Sequence, residues 1–275
     1  MSTDSPPRFE TLEISAASDD GRIGRLTLNR PDEVNAMSPQ MIGEMTTAAS
    51  WLADRAPYRA LIVTGAGRAF SAGGDVNWFK KGVEEPDIDL PSEVRRGAEI
   101  LHQAIVDFRR IPYPVIGAIN GAAAGAGFSL ALSCDLRIAA ESAFFVIAYG
   151  RIGASPDGGM TYFLPRVVGP AKAMELAMED PVMQAQEALE LGLVTEVVPD
   201  DELEAAAMKK AEKLARLAPH YTRVAKRLIG TSLDNSLTEQ LQYERHGIAD
   251  SMGTEDLKRG VAAFFAGEKP EFEGD

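Results

Sequence analysis

The 275-residue chain is short of cysteine, of histidine and of positive charge. Cys134 is its one cysteine, so no disulfide can form within the chain. Such thiol usage points to a reducing compartment, and a cytoplasmic setting is expected. Cys134 lies in an apolar helical run, which suits a core residue better than a reactive thiol. The three histidines, His102, His220 and His246, are far apart and show no metal-ligand spacing, so no metal is expected. With 28 basic residues against 41 acidic, the net charge of −13 disfavours nucleic acid and anionic membrane as partners. An anionic cofactor held by a local patch stays open. No stretch approaches the ~18 uninterrupted apolar residues of a membrane span. The start, Met1-Ser-Thr-Asp-Ser-Pro-Pro, lacks the basic and apolar regions of a signal peptide, and residues 1–9 read as a disordered lead. Neither GxxxxGK[ST] nor a GxGxxG between strand and helix occurs, which weakens any phosphate-loop reading.

What is present supports a large core, since 45% of the residues are hydrophobic. Thr11–Ser15, Ile23–Leu28, Ala60–Thr64, Val115–Ile119, Asp135–Ala139 and Phe144–Ala148 read as strands. Ser38 is a plausible N-cap, with Pro39 in the first turn of a helix reaching about Ala53. Lys80 to Pro91 reads as a mobile surface loop or helix–loop, and a helix follows over Ser92–Arg110. Strands alternating with helices predict an α/β fold with parallel strands over residues 10–200. Residues 201–275 carry helical periodicity alone, over 201–217, 219–231, 235–249 and 254–266. Such a region is expected to pack on the first part of the chain or on a neighbouring subunit.

Two loops of small residues follow strands. One is Gly121-Ala-Ala-Ala-Gly125-Ala126-Gly127 after Val115–Ile119. The other is Gly65-Ala-Gly-Arg-Ala-Phe-Ser-Ala-Gly73-Gly74-Asp75 after Ala60–Thr64. Small side chains let a ligand approach the backbone, and the first turn of a helix offers unpaired N–H groups. One N–H from each loop could meet a single carbonyl oxygen that becomes negative during a reaction. The first loop read alone also fits ordinary helix–strand packing.

Six blocks in order resemble the crotonase superfamily, the enoyl-CoA hydratases and isomerases: LNRPDEVNAM (28–37), AFSAGGDV (69–76), PVIGAINGAAAGAGFSLALSCDLRIAA (114–140), PDGGMTYFLPRVVG (156–169), EALELGLVTEVV (187–198) and FFAGEKPEF (264–272). The resemblance covers about residues 10–272. It implies a spiral of ββα units, a C-terminal helical trimerisation region, and a homo-oligomer that is a trimer or a dimer of trimers. It implies an acyl-CoA thioester substrate, with coenzyme A entering as part of the substrate and no permanently bound cofactor. Gly74 and Ala126 would supply the two oxyanion N–H groups. Val34, Ala36, Ala72, Gly73, Asp75 and Val76 would hold the adenine and pantetheine arm. The chain departs from the pattern at Glu33, where many relatives carry a basic residue for the coenzyme's phosphates. Lys80, Lys81 or Lys269 of a neighbouring subunit would have to compensate.

The departure at the reacting centre matters more. Water addition to a 2-enoyl thioester needs two proton handlers, glutamates in the hydratases. The matching positions are Ser129 and Tyr149, and neither side chain replaces a glutamate. Asp157 is the carboxylate left in the neighbourhood. In isolation it reads as an N-cap for a helix over Met160–Leu164. The resemblance instead matches it to the catalytic aspartate of two branches: the isomerases, including the phenylacetate-pathway ring-opening isomerase, and the 4-chlorobenzoyl-CoA dehalogenases. His102 matches a histidine of the second branch, which has a tryptophan in place of Tyr149. The isomerase branch is favoured, with Trp78, His102, Ser129 and Tyr149 as pocket residues. A dehalogenase, a weak hydratase and a non-catalytic acyl-CoA binder are the alternatives.

Overall fold

The structure, a computed structural model, describes residues 6–274. Residues 1–5 of the expected disordered lead lie outside that range, and Phe9, assigned to the same lead, packs against the core.

The chain alternates between two sheets. β1 (Leu12–Ala16) and β2 (Ile23–Leu28) form an antiparallel pair, and β2 continues in parallel to β3 (Ala60–Gly65), β5 (Val115–Ile119), β7 (Leu136–Ala140) and β10 (Glu196–Val198). The smaller sheet holds β4 (Ala69–Ser71), β6 (Ala122–Ala124), β8 (Phe144–Val146) and β9 (Met183–Gln184). Three times a strand of the large sheet is followed by a short strand of the small sheet and then by helix. β3 and β4 lead to α2 (Val76–Glu84) and α3 (Leu90–Arg110). β5 and β6 lead to α4 (Ala126–Ser133), and β7 and β8 to α5 (Met160–Val168) and α6 (Pro170–Glu179). This repeat of ββα units is the expected spiral.

Local chemistry explains the elements. β3 and β5 are buried throughout apart from Thr64, which is why they read as unbroken apolar runs rather than alternating ones. α1 (Pro39–Arg55) starts as expected: the Ser38 hydroxyl accepts from Met41 N–H, and Pro39 occupies the first turn, where it loses no helical bond. α4 carries no charge and all eight of its residues are buried, the pattern of a helix enclosed on every side. The polar stretch 80–91 is the helix–loop of the two alternatives: α2 runs through Glu84, and α3 starts at Leu90 with Asp89 as N-cap.

After α7 (Ala185–Glu190), α8 (Leu203–Ala215) lies on the large sheet. Leu203, Ala207, Ala211 and Ala215 are buried at four-residue spacing, and side chains this small let the helix approach the strands closely. The helices that leave the body are α9 (Pro219–Thr231), α10 (Leu237–Ser251) and α11 (Glu255–Ala266). α9 is fastened by Lys226, whose ammonium meets Asp135 at 2.7 Å and the Tyr113 carbonyl at 3.2 Å. Asp135 also takes Arg109 at 2.8 Å and Val115 N–H at 2.9 Å, so its carboxylate is fully engaged. Beyond that anchor the region shows an uncovered apolar surface: Ile229 is 75% exposed, Leu237 76%, Phe264 79% and Phe265 83%.

Cys134 is buried at the end of α4, and burial pushes its thiol up to about 12. The native protein is expected to give no reaction with an aromatic disulfide reagent at pH 8, and one thiol per chain after denaturation. Reaction of the folded protein within minutes would overturn that placement. No helix among the described residues is long and apolar enough to cross a membrane. No cluster of three or more His, Cys, Asp or Glu side chains among them could hold a metal ion.

Candidate active site

The two small-residue loops meet. Gly73 has φ +90°, and a methyl group on it would lie 2.6 Å from the Ala124 carbonyl oxygen and 3.1 Å from Ala126 N. Only glycine accepts both that conformation and that approach. A methyl on Gly125 (φ +51°) would lie 3.9 Å from Gly73 Cα and 4.0 Å from Tyr149 Cζ. Ala126 opens α4, where an N–H has no carbonyl one turn back to meet. Gly74 bridges Met37 through its neighbours: Met37 N–H donates to the Gly73 carbonyl at 2.7 Å, and Asp75 N–H to the Met37 carbonyl at 3.3 Å. That pairing uses no N–H of Gly74 itself.

The loop carrying Gly74 is held by residues that sequence reasoning passed over. Asn35 is fully buried; its amide donates to the Ala66 and Ala69 carbonyls at 2.9 and 2.8 Å and accepts from Arg30 N–H at 2.9 Å. The Ser71 hydroxyl donates to the Asn35 carbonyl at 2.8 Å, and Ala72 N–H to the Val34 carbonyl at 3.0 Å. Asn120, at the end of β5, donates to the carbonyls of Gly65, Gly67 and Ala69. The signal for both asparagines was their place at a strand or turn end beside small residues, but their partners are non-local. Val34, Ala36, Ala72, Gly73, Asp75 and Val76 are thereby brought into one ribbon. Within it the Asp75 carboxylate is committed, capping α2 through Asn77 N–H at 3.1 Å and pairing with Arg30 at 3.1 Å. Lys80 and Lys81 face Glu84 and Glu85 one turn away, at 3.7 and 3.9 Å.

Beside Gly74 stands Phe79, whose ring edge would lie 3.0 Å from a methyl on that glycine. Trp78 packs on Phe79 with ring centroids 5.3 Å apart and lines a cleft of about 440 Å³ with Gly82, Ile88 and Leu90.

Asp157 is not a helix cap. The N-cap of α5 is Gly159, because Gly158 (φ +60°) and Gly159 (φ +85°) turn the chain twice before the helix begins. The carboxylate is left free for another partner: Tyr149 O–H donates to Asp157 Oδ1 at 2.7 Å. The buried Ser129 hydroxyl donates to the Asp157 main-chain carbonyl at 2.9 Å and lies 3.1 Å from the Tyr149 oxygen. It also reaches the Gly125 carbonyl at 3.3 Å, the back-bond to its own helix. Gly158 N–H donates to His102 Nε2 at 3.2 Å. Accepting that bond places the imidazole proton on Nδ1. Burial, and then the Asp157 carboxylate beside it, push the Tyr149 phenol well above its ordinary range. The phenol therefore stays a neutral donor at any working pH. Asp157, Ser129, Tyr149 and His102 thus form one constellation, joined to the Gly73–Ala126 contact through Gly125 and the Tyr149 ring.

Since Gly158 is buried, losing the imidazole acceptor leaves an N–H without a partner. His102→Leu is expected to destabilise the fold by about 1 kcal/mol. His102→Gln, whose amide oxygen restores an acceptor, should recover part of that loss. Thermal denaturation of the two variants checks it, and equal midpoints would show that the bond carries no stability.

The sequence matches the enoyl-CoA hydratase/isomerase family over residues 19–275. It is 38% identical over 249 residues to the 1,2-epoxyphenylacetyl-CoA isomerase of Escherichia coli K12, covering 90% of this chain and 94% of that one. It is 39% identical over 249 residues to a Rhodobacter capsulatus protein described as "Probable enoyl-CoA hydratase", covering 90% and 93%. The crystal structure of an enoyl-CoA hydratase from Bacillus anthracis superposes with a TM-score of 0.89 at 32% identity, over 97% of this chain and 100% of that one. The ββα spiral is the crotonase fold, and this chain belongs to the enoyl-CoA hydratase/isomerase family.

Proposed function

We propose that the protein shifts a double bond in an acyl-CoA thioester, converting a 3-enoyl to a 2-enoyl thioester or rearranging a related ring or dienoyl thioester. Asp157 is the base. Its carboxylate takes a proton from C2, and the released pair flows toward the thioester oxygen, giving a dienolate. The N–H groups of Gly74 and Ala126 hold that oxygen while it is negative. The dienolate collapses to a C2=C3 double bond, and its former C3=C4 pair takes the proton back at C4. Atoms and electrons balance without water or an oxidant. The coenzyme arm lies along 34–37 and 72–76, and copies of the chain cover the apolar surface of α9–α11 in a homo-oligomer, a trimer or a dimer of trimers.

The observation that carries this reading is the company Asp157 keeps: a phenol held neutral on Oδ1 and a serine hydroxyl on its main-chain carbonyl, with an imidazole on the N–H of the next residue and, among the described residues, no carboxylate bonded to the group. Hydration by the usual route needs two side chains that handle protons on one water, and the hydroxyls of Ser129 and Tyr149 are poor at both. A dehalogenase route, in which Asp157 attacks an aromatic ring, needs a base to release the ester it forms. The His102 imidazole, which meets the chain at the next residue, has its lone pair on Gly158 N–H. Relatives of similar identity are named as isomerase and as hydratase, so the choice rests on these contacts. The test is turnover of 3-enoyl-CoA to 2-enoyl-CoA, with crotonyl-CoA hydration measured alongside. Hydration exceeding isomerisation would overturn the reading.

A further inference from the structure

We infer that Tyr149 is a positioning residue that leaves Asp157 one working oxygen, so that a proton taken from one carbon is carried to the other instead of being lost to water. The inference rests on Asp157 being the base. A carboxyl group on an aspartate turns easily, because its terminal torsion is broad. Tyr149 opposes that freedom at the carboxylate, while Ser129 fixes only the main chain. Ser129 holds the main-chain carbonyl of Asp157 at 2.9 Å, and Tyr149 O–H donates to Oδ1 at 2.7 Å. The phenol is itself placed by packing of its ring against the core, with the Ser129 oxygen 3.1 Å away.

A neutral phenol that donates to Oδ1 engages a lone pair of that oxygen and makes it the less basic of the two. The proton removed from substrate therefore goes to Oδ2. Swapping it to Oδ1 would leave the phenol a hydroxyl oxygen to donate to in place of a carbonyl oxygen, a poorer acceptor. Oδ2 is left as the oxygen that picks up and delivers the proton. Rotation of the acid toward solvent, which would exchange it, is opposed by the same bond.

The experiment uses a 3-enoyl-CoA carrying two deuterium atoms at C2, turned over in ordinary water by the full-length protein. Product deuterium at C4 is read by NMR, together with kcat and KM. For the wild type, C4 is expected to carry deuterium well above the solvent background. Tyr149→Phe keeps the ring and removes the donor. KM should stay within about twofold, kcat should fall about tenfold to a hundredfold, and the share of deuterium delivered to C4 should drop. An unchanged share in Tyr149→Phe overturns the inference, whether or not kcat falls, since a space-filling ring would act without touching the transfer. Complete loss of label in the wild type also overturns it. Asp157→Asn is run in parallel: if that variant still isomerises, the assignment of the base has failed, a result separate from either outcome for Tyr149.

Discussion

Asp157→Asn is expected to lower isomerisation by about 10³-fold while leaving the fold and thioester binding as they are. The substitution is nearly isosteric. Its amide oxygen can still accept Tyr149 O–H where Asp157 Oδ1 does at 2.7 Å, and the Ser129 bond goes to the main chain, which does not change. What is lost is basicity alone. An amide has no lone pair able to take a carbon-bound proton, and no neighbour supplies one. Ser129 is a hydroxyl, the Tyr149 phenol is held protonated by burial, and His102 Nε2 already accepts from Gly158 N–H. The check is steady-state turnover with 3-enoyl-CoA, beside a direct measurement of thioester affinity by calorimetry. Turnover within tenfold of wild type would move the base elsewhere. Crotonyl-CoA hydration that survives the substitution would point to a hydratase using another side chain.

Gly73→Ala is the second large effect, and it tests the junction of the two loops. The added methyl meets the Ala124 carbonyl oxygen at 2.6 Å and Ala126 N at 3.1 Å, and φ is +90°. The neighbours are backbone on both sides, so relief requires the 71–75 ribbon and the start of α4 to move apart. Displacing a reacting group by about 1 Å can cost about 10²-fold in rate, and that is the expected fall in kcat. The strained backbone should also cost about 1–3 kcal/mol of stability. Gly97→Ala is the matched control: it lies within α3, nothing stands within 4 Å of the added methyl, and its φ is not positive. That change should raise stability by about 0.5–1 kcal/mol and leave kcat alone. Wild-type kcat in a folded Gly73→Ala variant would mean that the two N–H groups need not be held together.

Much of the fold was legible because its causes are local. The start of α1 follows from a serine accepting from an N–H three residues on and a proline that loses no bond in the first turn. β3 and β5 follow from β-branched runs buried on both faces. The site was legible in part. Small residues after two strands announced close-approach backbone, and the missing glutamates directed attention to Asp157. The capping role weighed for Asp157 does not hold, because two successive glycines with positive φ delay the helix to Met160. Cap preference alone places that start too early. The 80–91 segment read as a mobile loop or a helix–loop from its proline and acidic content, and the second holds: α2 runs to Glu84, and Gly82 packs against Leu90 at the start of α3.

Composition and pattern by themselves determined the alternating strands and helices and the two small-residue loops, and six ordered blocks carried the resemblance to the family. Those properties depend on interactions within a few residues or on ordered blocks along the chain. Tertiary structure alone decided which groups meet. Tyr149 reaches Asp157 across 8 residues, Ser129 reaches it across 28, and His102 reaches Gly158 across 56. A hydrogen bond acts over about 3 Å, whatever the separation along the chain, so such pairings exist only once the sheets have set the loops against one another.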